Sequence, residues 1–79
     1  MELQNGVWTP FTAVPKKDGS NLYTLSSGAS GVIAIEVSSD GTNTKAVTLP
    51  QFTTAPFVEN IVIARGYSVR ATGVTVDMK

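Results

Sequence analysis

The stretch Gly31-Val32-Ile33-Ala34-Ile35-Glu36-Val37-Ser38-Ser39-Asp40-Gly41-Thr42-Asn43-Thr44-Lys45-Ala46-Val47-Thr48-Leu49 decides the fold. Residues 31–37 alternate, with Ile33, Ile35 and Val37 on one side and Val32, Ala34 and Glu36 on the other. That period of two is what a β-strand requires. Residues 38–43 are a run of turn formers, and the Asp40-Gly41 pair supplies positive φ at little steric cost. Alternation resumes over 44–49, where Lys45, Val47 and Leu49 oppose Thr44, Ala46 and Thr48. Two alternating runs across a turn predict a β-hairpin.

Downstream, Pro50 ends the second strand because it has no N–H to give to a ladder. Residues 51–56 read as a loop in which Phe52 is the one large apolar side chain. Residues 57–64 are the most apolar segment, carrying Val58, Ile61, Val62, Ile63 and Ala64. A run apolar on both sides predicts a central strand covered on both faces, with Glu59 and Asn60 near its exposed start. Gly66 marks a bend or bulge, and residues 67–71 are extended. After a turn at Thr72-Gly73, Val74, Val76 and Met78 alternate with Thr75, Asp77 and Lys79 as a terminal strand.

Upstream, residues 22–25 read as a short strand and 26–30 as a loop of small residues. Residues 1–15 read as an extended N-terminal arm, interrupted at Pro10 and stopped at Pro15, which leaves 16–79 as a single domain. The turn Asp18-Gly19-Ser20-Asn21 nearly repeats Asp40-Gly41-Thr42-Asn43. Each offers one carboxylate where a calcium loop needs several, so both read as turns and no metal is expected. About six or seven short strands, at the roughly 8–12-residue spacing of such folds, predict a small antiparallel β-sandwich or barrel.

Composition narrows the function. The 79 residues include no Cys and no His, so there are no disulfides, no thiolate or imidazole ligands and no His base. Six basic and six acidic side chains cancel, which removes any general pull toward phosphate backbones or anionic lipid. Charged residues make up 15% of the chain, well under the usual quarter, and a surface so poor in charge tends to associate. No apolar run approaches the ~18–20 residues of a membrane span. The start, Met1-Glu2-Leu3-Gln4-Asn5, shows neither the basic nor the apolar region of a signal peptide. A soluble protein that assembles in a cytoplasm is expected, without cofactor and without catalytic residues, because no serine has a recognisable base beside it. A domain this small has a marginal core and gains stability from a partner, commonly copies of itself.

Five aromatic side chains stand out as interface anchors: Trp8, Phe11, Phe52, Phe57 and Tyr67. Trp8 and Phe11 either cap the chain's own barrel or reach across a neighbouring subunit. Only Arg65-Gly66-Tyr67-Ser68-Val69-Arg70 sets aromatic and basic residues close together, as a single-strand nucleic-acid binder would.

The order of segments carries a resemblance. Phe11-Thr12-Ala13-Val14-Pro15 with Asp18 leads to Gly31-Val32-Ile33-Ala34-Ile35. Asp40-Gly41-Thr42 then precedes Val47-Thr48-Leu49-Pro50, and Arg70-Ala71-Thr72-Gly73-Val74-Thr75-Val76-Asp77 follows. Over roughly residues 11 to 78 the chain resembles small structural proteins of tailed-phage and gene-transfer-agent particles, of the head-spike-base or capsid-decoration type. The resemblance implies a non-enzymatic virion component, a decoration, cement or spike-base protein seated on the capsid as a homotrimer. Its partners would be itself and the major capsid protein or another virion protein, with no membrane and no nucleic acid. The alternative is a host-surface or carbohydrate-binding β-module of a tail fibre, whose exposed aromatics would stack on sugar rings.

Overall fold

The computed structural model describes all 79 residues and is all-β. Eight strands form in chain order: β1 (Glu2–Leu3), β2 (Thr9–Pro10), β3 (Leu22–Val32), β4 (Ala34–Ser38), β5 (Ala46–Thr48), β6 (Thr54–Val62), β7 (Ser68–Thr72) and β8 (Val76–Met78). They build two four-stranded antiparallel sheets, ordered β1-β8-β3-β6 and β2-β7-β4-β5. Of the expected sandwich or barrel, the two sheets fit a small β-sandwich, with eight strands in place of six or seven.

The sheets close on side chains of one parity. Leu25, Val76 and Met78 from the first sheet meet Ile35 and Val69 from the second, all 0% exposed. Leu3, Phe11, Tyr23, Ile33, Val37, Phe52, Ile61 and Ala71 complete the core. The predicted hairpin is present, with Glu36 opposite Thr48, Val37 opposite Val47 and Ser38 opposite Ala46. Its second strand is shorter than expected, because residues Asn43–Lys45 wind into a 3-10 turn before β5 starts.

Asp40 explains the loop. Its Oδ1 accepts hydrogen bonds from the Thr42 hydroxyl at 2.7 Å and the Thr42 backbone N–H at 3.0 Å. The buried Ser38 hydroxyl lies 3.0 Å from the same oxygen and 3.0 Å from the Thr42 carbonyl. The Thr42 hydroxyl and the other donors hold the Asp40 carboxyl below its ordinary value of 3.8. Asp18 does the same in the first turn, accepting from the Ser20 backbone N–H at 3.0 Å.

Several elements differ from expectation. Residues 57–64 are not a central strand. They belong largely to β6, which lies at the edge of its sheet, and Val58 and Val62 on its outer side are each 75% exposed. An apolar run on both sides fits a doubly covered strand or an uncovered edge strand alike, and this is the second. Thr54, Ala55 and Pro56, expected in a loop, begin the same strand, where an edge tolerates proline. Residues 26–30 are not a loop either. They continue β3, which runs eleven residues with a register shift between Ser27 and Gly31. Ser26 pairs with both β6 and β8 and Ser27 with β6, residues 28–30 bridge the register shift, and the buried Ser27 hydroxyl donates to the Thr75 carbonyl at 2.6 Å. Residues 1–15 dock on the chain's own sheets: β1 pairs with β8, β2 pairs with β7, and Leu3 and Phe11 enter the core.

Gly73 joins β7 to β8 at φ +115°, and a Cβ there would collide with the Val32 carbonyl oxygen. Gly73→Ala is expected to destabilise by about 2 kcal/mol or more, whereas Gly28→Ala, with open space at its Cβ, changes stability by no more than about 0.5 kcal/mol. Urea unfolding of the two variants checks the contrast. The lowered Asp40 and Asp18 carboxyls contribute stability that is present above their unfolded values and fades as pH falls through the folded ones. The melting temperature is expected to drop below about pH 4, and less steeply in Asp40→Asn, as thermal scans across that range would read.

Candidate functional site

Three surface features gather polar or apolar groups beyond what the fold needs. The first lies on the outer face of the second sheet. Glu36 on β4 and Arg70 on β7 are direct cross-strand neighbours. The Arg70 Nε and Nη2 donate to Glu36 Oε1 at 3.1 and 2.8 Å. Arg70 Nη1 donates to Asn43 Oδ1 at 2.6 Å, and the Trp8 indole N–H donates to the same oxygen at 3.0 Å. The Arg70 guanidinium also sits 4.5 Å from the centre of the Trp8 ring. One cation thus ties β4, β7, the hairpin loop and the segment before β2 together. The ion pair is partly exposed, at 19% and 23%, so its worth lies in geometry more than in Coulomb energy.

The second feature is an open cleft of about 250 Å³ between the Asp18 turn and the loop after β6. Thr12, Pro15, Lys16, Asn21, Tyr23 and Arg65 line it. The Lys16 ammonium lies 4.8 Å over the Tyr23 ring, which packs on Phe11 at 4.8 Å between centroids. Neither Lys16 nor Arg65 forms an ion pair, so the cleft can receive an anionic group.

The third is the outer face of the first sheet. Leu22 stands directly opposite Val62 and Ser26 opposite Val58, and the three apolar members are 47%, 75% and 75% exposed. Between these pairs the Thr24 hydroxyl donates to Asn60 Oδ1 at 2.7 Å.

The aromatic anchors expected from sequence distribute unevenly over this geometry. Phe11 and Phe52 are each 3% exposed and belong to the core, which removes them from any contact surface. Phe57 is half-buried, edge-to-face with Phe52 at 5.1 Å, and Tyr67 also packs against the core. Trp8 alone of the five presents its ring within a polar surface cluster. The 65–70 segment does not combine its cations into one groove: Arg70 is bound to Glu36, while Arg65 faces the cleft. The exposed valines carry no surface signal in sequence, because burial of alternate residues cannot be separated from exposure until strand order is known. No protein family, curated protein or solved structure matches the chain.

Removing the guanidinium should be legible in the single tryptophan. Arg70→Ala is expected to move Trp8 emission to longer wavelength and to cost about 1–2 kcal/mol, the range for charge-assisted hydrogen bonds after discount for exposure. Fluorescence-monitored urea unfolding reads both, and Glu36→Gln, which keeps an acceptor, should lose less.

Proposed function

We propose that the chain is a non-enzymatic structural component of a tailed-phage virion, a decoration, cement or spike-base protein that binds the capsid surface as a symmetric homo-oligomer. The observation that carries this reading is the uncovered apolar strip of Leu22, Val58 and Val62 on a molecule of zero net charge. Such a strip is stabilised by association, and charge neutrality sets no barrier to packing many copies on one shell. The half-buried Phe57 and Tyr67 and the Trp8 cluster supply further contact area at moderate desolvation cost.

The chain is expected in tailed particles purified from the organism that encodes it, in fixed ratio to the major capsid protein and retained through a high-salt wash. Quantitative mass spectrometry of washed particles gives the ratio. Release by salt, or absence from the particles, would sink the proposal. The Trp8–Arg70–Asn43 cluster favours a second reading, a carbohydrate-binding module of a tail fibre, because an indole beside amide and guanidinium groups suits a sugar ring. In that case a glycan array gives hits that Trp8→Ala loses while the oligomer survives.

A further inference from the structure

The edges of the two sheets are unequal. β1 and β2 have two residues each and β5 has three, whereas β6 exposes a nine-residue edge. Short strands are a common protection against edge pairing, and β6 lacks that protection.

Its hydrogen-bonding phase is fixed by its neighbours. Thr24 exchanges both backbone bonds with Lys79, at 2.9 Å each, so its N–H and C=O point toward β8 and away from β6. Ile63 N–H reaches back to the Asn21 carbonyl at 3.0 Å. Since Thr24 faces Asn60 and the ladder alternates, the backbone groups of Val58, Asn60 and Val62 point out of the sheet edge. No other backbone group of the chain takes them.

We infer that this edge pairs with the same edge of a second copy, antiparallel about a two-fold axis through Asn60, so that two sandwiches share one continuous eight-stranded sheet. The pairing deepens the self-association part of the proposed function and is independent of the particle. Three features select a second copy and this register. Asn60 falls opposite Asn60, and a carboxamide is self-complementary: Oδ1, already accepting from Thr24, has a second lone pair, and the amide N–H groups are free to donate. Val58 falls opposite Val62 of the other copy, twice by symmetry, so that Leu22, Val62 and the second Val58 form an apolar row across three strands. Glu59 falls opposite Ile61, whereas the register centred one residue earlier sets Glu59 against Glu59. Residues 58, 60 and 62 then exchange six backbone hydrogen bonds with the second copy, two for each of three outward-facing pairs. The remaining edges are too short to propagate the sheet, so the assembly closes as a dimer instead of growing.

The test uses the full chain at roughly 100 μM, where weak edge pairing is populated. Sedimentation equilibrium should give twice the 8.3 kDa mass. Asn60→Pro removes an N–H that makes no bond within the chain, so it should leave the circular dichroism unchanged and abolish the dimer. Val62→Lys, a substitution at an exposed position, should raise the dimer Kd at least about tenfold because symmetry counts it twice. In this cysteine-free chain, oxidised Asn60→Cys should form a covalent dimer and Val47→Cys, on the other sheet's edge, should not. A monomer, a dimer unmoved by Asn60→Pro and Val62→Lys, or equal cross-linking of both cysteine variants would overturn the inference. A trimer indifferent to these changes would also overturn it, while leaving the virion proposal standing. Absence from purified particles would defeat that proposal and leave the dimer untouched.

Discussion

Thr24 and Lys79 exchange a pair of backbone hydrogen bonds, and that exchange sets the phase of the whole first sheet. Once Thr24 is turned toward β8, Tyr23, Leu25 and Ser27 carry the bonds to β6, and their side chains are the ones that enter the core. Thr24 and Ser26 consequently face outward, as do their partners Asn60 and Val58. Core membership, outer face and the direction of every free backbone group on β6 follow from one pairing. A slip of one residue would put Leu25 and Ile61 in solvent, which the burial of both forbids.

The second sheet solves a different problem. Its outer face is held by polar chemistry at Glu36, Arg70, Asn43 and Trp8, groups drawn from positions far apart in sequence, Trp8 and Asn43 alone being 35 residues apart. A chain with so few charges concentrates one of its two ion pairs here, and the other joins the N-terminal amine to Asp77 across β1 and β8. The N-terminal pair binds the start of the chain to β8, and Arg70, while paired with Glu36 across β4 and β7, also holds the Trp8 ring. In a small domain with a marginal core, the tie from the N-terminal amine fastens the short edge strand β1, which would otherwise fray.

The central hairpin was legible because Ile33, Ile35 and Val37 alternate cleanly around a strong turn. The sandwich followed from strand spacing and from the abundance of β-branched residues. Residues 26–30 were illegible, since serine, glycine and alanine carry no strand signal, and the strand is carried through them by pairing at Ser26, Ser27 and Gly31 around a register shift. Residues 57–64 misled for a different reason. Hydropathy reports which side chains prefer to leave water, and Val58 and Val62 have that preference without the cover. Residue type alone does not separate a contact aromatic from a core one, and Phe11 and Phe52 fill a core of thirteen residues. The Trp8 cluster was hidden because its members meet only through strand order. One partial signal existed: Glu36 and Arg70 occupy polar positions on two runs that alternate, and opposite charges there invite a cross-strand pair.

The two faces of the sandwich therefore differ in what they can offer. Joining β6 to its copy uses the one long edge and extends the apolar row of the first sheet, leaving the outer faces of both second sheets open. A two-fold dimer of this kind carries two identical polar-aromatic clusters, each organised by the hydrogen bonds of Arg70. Those clusters lie apart from the β6 edge, so substitutions at one surface leave the other unchanged. The expected three-fold arrangement lacks this economy, because a heterologous contact needs a second long edge or a complementary patch, and β1, β2 and β5 are too short to provide the edge.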